Sequence, residues 1–130
     1  MVGDETMSVA IGVGCRKDCP ASVIEALVRR ALAGVSGAPL GLFTLVDKRG
    51  EPGLAQAADR LELSLTYLSR EALRGRESDV QTRSARVESL FGVPSVAEAA
   101  ALAGAGAGSV LIVPRIAEGG ATCAIAGPAS

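Results

Sequence analysis

The stretch AIGVGCRKDCPAS, Ala10 to Ser22, concentrates residue types that could do chemistry: two glycines, two cysteines and adjacent cations. Gly12-Val13-Gly14 could open a dinucleotide cradle. Lys17 takes the third glycine position, however, and no acidic residue ends the next strand at the separation of about 20 residues that the fingerprint needs. The P-loop pattern is absent. Cys15 and Cys19 stand as C-x-x-x-C, which is not a structural zinc spacing, and no histidine is present to complete a site. The lack of histidine also removes the commonest general base and the usual triads. Two readings of this corner remain open. One is a tight strand-to-helix turn, with glycines easing the backbone and Cys15 as a small filler. The other is anion capture, in which backbone N–H groups at the first helix start join Arg16 and Lys17 to hold carboxylates.

The bulk of the chain narrows the classes further. Its 130 residues fit one domain, and at 48% hydrophobic it can bury a core without staples. Aromatics make up only 2%, so that core is built from Val, Leu, Ile and Ala. A net charge of −1 and so few rings argue against a nucleic-acid partner. The first apolar run, Val9 to Val13, is too short for secretion or for spanning a membrane, and three cysteines make an odd count. The expectation is a cytoplasmic protein with free thiols and no membrane partner.

The elements that must position the corner alternate. Residues 1–7 are polar and unpatterned, read as a flexible arm, and the domain is expected over 8–130. Ser8 to Val13 reads as a buried strand, and Pro20 to Leu32 as a helix with Pro in its first turn. Leu42 to Val46 is a second strand, Glu51 to Leu61 a second helix, and Leu65 to Leu68 a third strand. Ser69 to Leu73 is a helical turn. Arg74 to Arg83 is polar and charged, read as a mobile loop or a lid. Ser84 to Phe91 is a short helix, and Ser95-Val96-Ala97-Glu98 is a capping box ahead of another. Val110 to Val113 and Ala121 to Ala126 form a hairpin through Gly119-Gly120. The expected fold is a single three-layer α/β domain. Its mixed, mostly parallel sheet has about five strands, helices on both faces and a C-terminal antiparallel hairpin. Ligands of such sheets gather at the carboxyl ends of the parallel strands, where the loops at Gly14–Lys17, Asp47–Arg49 and Ser69 converge.

Four ordered segments carry a resemblance: GVGCRK, TLVDKRGEPGL, TRSARVESLFGVPSVAEAAAL and LIVPRIAEGGATCAIA. Together they resemble the CobE/CbiG C-terminal family of cobalamin biosynthesis from about Val9 to Ala126, and the length is closest to its stand-alone CobE type. Gly12, Gly14, Cys15 and Arg16 fall on the first motif. Asp47, Lys48, Glu51 and Gly53 fall on the second, and Ser84, Val87, Glu98 and Ala99 on the third. Thr122 falls on the last hairpin. Arg115 stands where the family usually has lysine, so a permanent cation is kept but a proton-donating amine is not.

The resemblance implies a precorrin or corrin intermediate as ligand, other cobalamin-biosynthesis enzymes as partners, and no cofactor or metal held by the protein itself. Such macrocycles are flat and bear acetate and propionate arms. Arg16, Lys17, Lys48, Arg83, Arg86 and Arg115 are the cations that could grip them, through bidentate forks where arginine serves. Gly12, Gly14, Cys15, Ser84 and Thr122 complete the expected binding set. The function so implied is that of an accessory or carrier for an intermediate. The alternative is an enzyme opening the δ-lactone of a precorrin-5 type intermediate with loss of acetaldehyde, as CbiG-type proteins do. That chemistry needs a base and a stabilised oxyanion, for which Asp47, Glu51 and Lys48 are the candidates. Each has a plainer role available: Asp47 in a turn, Glu51 in a helix first turn, Ser84 as an N-cap, Glu98 as a capping partner. Cys123 reads as core.

Overall fold

In a computed structural model, residues 8–129 are described. The arm expected over residues 1–7 lies outside them. β1 (Ser8–Cys15) leads into α1 (Ala21–Leu32), then β2 (Ala38–Leu45), a 3-10 turn (Val46–Lys48), α2 (Pro52–Leu61) and β3 (Leu65–Leu68). There follow α3 (Arg70–Arg74), α4 (Ala85–Phe91), α5 (Val96–Ala105), β4 (Ser109–Glu118) and β5 (Ala121–Pro128). The strands form one sheet in the order β3-β2-β1-β5-β4. β1 pairs with β2, and β2 with β3, in parallel; β5 pairs antiparallel with both β1 and β4. Pairings are therefore evenly mixed, where the sequence pattern suggested a mostly parallel sheet. The reason is that β5 inserts its hairpin between β1 and β4.

Strand alternation sends side chains to two cores. Val9, Ile11, Val13 and Cys15 of β1 join Cys123 and Ile125 of β5 against α1 and α2. Ala124 and Ala126 face the other way, with Leu45, against α5 and Leu73. The remaining β1 positions on that second face are Ala10, Gly12 and Gly14, and they let α5 press close. A Cβ on Gly12 would overlap the Ala97 carbonyl oxygen and the Ala101 nitrogen. Gly12 is thus a helix-packing position, and this expected binding residue is not among those that line the cleft at the strand ends. The facing helix is alanine-rich and buried from Val96 to Leu102, so it acts as a slab under the sheet.

The segment Arg74–Arg83, expected to be mobile, is tied down by two side chains. Arg76 Nη1 donates to the carbonyls of Leu102 (2.9 Å) and Gly106 (2.8 Å) and to Ser109 Oγ (2.8 Å), closing the C-terminal end of α5. Glu98, fully buried, accepts from the backbone N–H groups of Gln81 and Thr82. A loop whose polar groups are so engaged is a fixed strut, and its charged composition reflects these tertiary bonds.

Candidate functional site

The carboxyl ends of β1 and β2, the β4–β5 hairpin and α4 enclose a cleft of about 780 Å³. Its floor is Gly14, Thr122, Ser95 and Val96. A Cβ on Gly14 would stand 2.7 Å from Thr122 Oγ1, so the bare glycine keeps the floor open. One wall is apolar: Val87, Leu90 and Phe91 of α4, with Leu90 left 54% exposed. The rim carries Arg16, Lys17, Lys48, Arg86 and Arg115. None of these five makes an ion pair among the described residues; the pairs found there use Arg29, Arg30, Arg60, Arg70 and Arg76. Glu118, the single carboxylate lining the cleft, is paired with Arg30.

Each cation is placed by its local backbone. Arg16 follows the end of β1, and its N–H donates to the Gly120 carbonyl at 2.8 Å, locking the corner to the hairpin tip. Gly119 and Gly120 (φ 61° and 92°) make the two-residue turn whose mirror-image geometry suits strand twist. Lys48 leaves the 3-10 turn, donates from Nζ to the Cys15 carbonyl at 2.8 Å, and lies 4.6 Å from the Phe91 ring centroid. Arg115 sits where β4 bulges: Val113 pairs with Ile125 and Ile116 with Cys123, so β4 spends an extra residue there. A bulge re-aims side chains, and the Arg115 N–H leaves the ladder to donate to Glu98 Oε2 at 2.8 Å. Arg86 rides on α4, whose N-cap is Ser84: its Oγ accepts from the Val87 N–H at 3.2 Å. Ser84, an expected binding residue, does not line the cleft, and its hydroxyl caps α4.

The second motif turns out to buttress the first. Besides Lys48 on the Cys15 carbonyl, Glu51 Oε1 accepts from the N–H of Asp18 at 2.8 Å. Asp18 has φ 63°, a left-handed backbone that this bond helps to hold. A Cβ on Gly53 would overlap the Cys19 carbonyl, so glycine lets α2 abut the corner. Asp47 points to Arg70 instead, with bonds of 3.3 and 2.5 Å, and that hydrogen bond holds its carboxyl below the usual carboxylate range. Neither Asp47 nor Glu51 is among the residues that line the cleft. Both were candidate bases; the structure brings Lys48 to the cleft and leaves the two carboxylates in supporting contacts.

The three cysteines are free and buried, and Cys15 also lines the cleft. Burial pushes Cys15 from 9.0 up to about 11, with Lys48 pulling partly the other way. Burial also raises Cys19, and Cys123 to about 12. Cys15 packs with the α1–α2 core, as a filler would. Among the described residues no group of His, Cys, Asp or Glu is gathered to hold a metal.

Three residues in or beside the site, Glu98, Leu90 and Phe91, were not legible in the sequence as part of it. Glu98 forms only half of the capping box: its N–H donates to Ser95 Oγ at 3.2 Å, but its carboxylate turns inward, away from Ser95. Phe91 and Leu90 were read as ordinary short-helix residues. The i, i+3, i+4 spacing of Val87, Leu90 and Phe91, which makes one apolar face, was the available signal.

Fold and site together define an α/β domain with a cation-rimmed, half-apolar cleft at the strand ends. The family model described as cobalamin synthesis G C-terminus matches residues 9–126. Protein CobE of Sinorhizobium is 38% identical over 125 residues, 94% of this chain and 81% of that protein. The crystal structure of CobE, a protein from the cobalamin (vitamin B12) biosynthetic pathway, superposes with a TM-score of 0.86 at 33% identity, covering 95% of this chain and 92% of the other. Cobalamin biosynthesis protein ChiG from Agrobacterium tumefaciens gives a TM-score of 0.73 at 36% identity, covering 94% of this chain and 99% of that one. The cobalt-precorrin-5A hydrolase of Salmonella typhimurium is 35% identical over 96 residues, 72% of this chain but only 27% of the hydrolase. The chain belongs to the cobalamin synthesis G C-terminus family and is a cobalamin biosynthesis protein.

Proposed function

We propose that this protein binds a precorrin or corrin intermediate in the cleft and serves as its accessory or carrier, working in the cytoplasm beside other enzymes of the pathway. The observation that carries this reading is the set of five rim cations without carboxylate partners among the described residues, facing an apolar wall. Clustered like charges repel, and a fold that keeps them unneutralised is shaped for an anionic ligand. A flat macrocycle can lay its ring on Val87, Leu90 and Phe91 while its carboxylate arms reach Arg16, Arg86 and Arg115. Charge-assisted bonds from arginine forks give such arms both affinity and orientation.

Titration with hydrogenobyrinic acid, followed by the ligand's visible spectrum, tests the reading. Saturable binding with a band shift is expected. An unchanged spectrum at high protein concentration, with no pigment retained on gel filtration, would overturn it.

The match to a cobalt-precorrin-5A hydrolase favours a second reading, lactone opening with release of acetaldehyde. Against it stand the cleft's single carboxylate, already paired with Arg30, and the seating of Asp47 and Glu51 outside the lining. Incubation with a lactone-bearing precorrin-5 intermediate and an acetaldehyde assay separates the two: binding without acetaldehyde is expected.

A further inference from the structure

The carboxylate of Glu98, on the first turn of α5, is 0% exposed. Oε1 accepts from the N–H of Gln81 at 2.8 Å and of Thr82 at 2.7 Å. Oε2 accepts from Thr82 Oγ1 at 3.0 Å and from the N–H of Arg115 at 2.8 Å. Among the described residues it has no ion-pair partner. Removing a carboxylate from water is costly unless donors replace its hydration, and here main-chain donors do so. An apolar residue or a simple cap would be a cheaper core. The arrangement of its donors suggests what the buried charge accomplishes.

Those donors belong to the two sides of the cleft. Arg115 lies in the β4 bulge on one rim. Gln81 and Thr82 lead directly into Ser84 and α4, which supplies Arg86 and the apolar wall on the other. No residue of α4 is fully buried, and Val87 and Phe91 pack only partly against the core, so its place depends also on its ends. At one end the Ser84 N–H donates to the Pro94 carbonyl at 2.9 Å, and Thr82 beside it is held by Glu98. At the bulge the Arg115 N–H is likewise taken by Glu98.

We propose that Glu98 is the positioning residue of the cleft: one buried carboxylate ties the Arg115 rim to the strut that carries α4, and so sets the span across which the ligand's carboxylates are gripped. Glutamine cannot do the same. Its amide has one acceptor oxygen and one NH2, so either the Gln81–Thr82 pair or Arg115 N–H meets a donor instead of an acceptor. The span would then loosen on one side while size and packing are kept. This inference rests on the proposed function for its ligand, though not for its structural half.

The test has two arms. Amide hydrogen exchange on Glu98→Gln is expected to speed Gln81, Thr82 or Arg115 by about tenfold or more, leaving the central amides of β1 and β5 unchanged. In the binding arm, hydrogenobyrinic acid is titrated into wild type, Glu98→Gln, Arg115→Ala and the double variant. Each single change is expected to weaken binding by about tenfold, and the double variant by clearly less than about a hundredfold, because the two act as one unit. Thr82→Val, which removes only the hydroxyl donor, gives the same signs with smaller size and serves if Glu98→Gln folds poorly. Uniform exchange changes, or additive binding losses, would overturn the proposal. If wild type binds nothing, the carrier reading falls, and the exchange arm alone decides whether Glu98 joins the two sides.

Discussion

Glu51 Oε1 lies 2.8 Å from the backbone nitrogen of Asp18, thirty-three residues away in sequence, and accepts its hydrogen bond. The bond joins the start of α2 to the corner after β1, where Asp18 takes a left-handed backbone. It makes the acidic residue of the second motif a support for the cations of the first. A support and a general base respond differently to substitution.

Glu51→Gln keeps an oxygen able to accept from Asp18 N–H. Binding of hydrogenobyrinic acid to this variant is expected to stay within about twofold of wild type, while Glu51→Ala loosens the corner and weakens binding about five- to tenfold. Spectrophotometric titration of the two variants measures this. Equal, complete loss in both would point to the carboxylate charge itself and revive its role as a base.

The two glycines of the opening stretch are expected to part company. Gly12→Ala drives a methyl into the backbone of α5 and should cost roughly 3 kcal/mol, read by urea denaturation. Gly14→Ala meets only the hydroxyl of Thr122, which can rotate, so stability should fall by less than about 1 kcal/mol. Its methyl instead raises the cleft floor and lowers ligand affinity about tenfold. A Gly14→Ala protein that binds as well as wild type would show that the ligand does not reach the floor.

Rim charges should give a salt-sensitive complex. Arg16→Ala, Arg86→Ala and Arg115→Ala are each expected to weaken binding by about tenfold at low ionic strength, with little change in melting temperature, since none is in an ion pair among the described residues. The loss should shrink as salt shortens the screening length to about 8 Å near physiological strength. Binding isotherms at several salt concentrations check both statements. Arg70→Ala, by contrast, removes an exposed pair with Asp47 outside the cleft and should leave binding unchanged.

Alkaline pH should erode stability through the thiols. Cys15 and Cys123 keep their protons in the fold to about 11 and about 12, whereas an unfolded thiol releases its proton near 9.0. The folded state therefore binds more protons above pH 9, so stability is full below that value and declines as pH rises through the folded values. Denaturation midpoints measured from pH 8 to 10.5 should be flat and then fall, and Cys123→Ala should soften the fall. Asp47 acts at the other end. Its carboxyl is held below 3.8, so its contribution is full above that pH and disappears as pH drops through the folded value.

Much of this was legible because it is local. Periodicity located the helices, Gly119-Gly120 announced the hairpin, and the Ser84 and Ser95 caps formed as their positions suggested. Arg16 and Lys48 were readable as loop residues at the carboxyl ends of parallel strands, whereas Arg115 was named by the family resemblance and reaches the same cleft from the β4 bulge. Long-range bonds were not legible. Nothing within a few positions of Arg76 says that it closes α5, and Glu98 in a capping-box pattern gives no hint of a partner at Arg115. Gly12 and Gly14 sit two apart with the same face and different duties, because only the packed helix decides which one it covers.

The outer strands of the sheet have a consequence for assembly. β3 is four residues long, and β4 is broken by two register shifts and by Pro114, which has no N–H to offer. Neither border presents a straight row of donors and acceptors onto which another chain could zip a strand. On the carrier reading, any handover of cargo to a neighbouring enzyme would then run through loops around the cleft mouth, leaving the backbone ladder uninvolved.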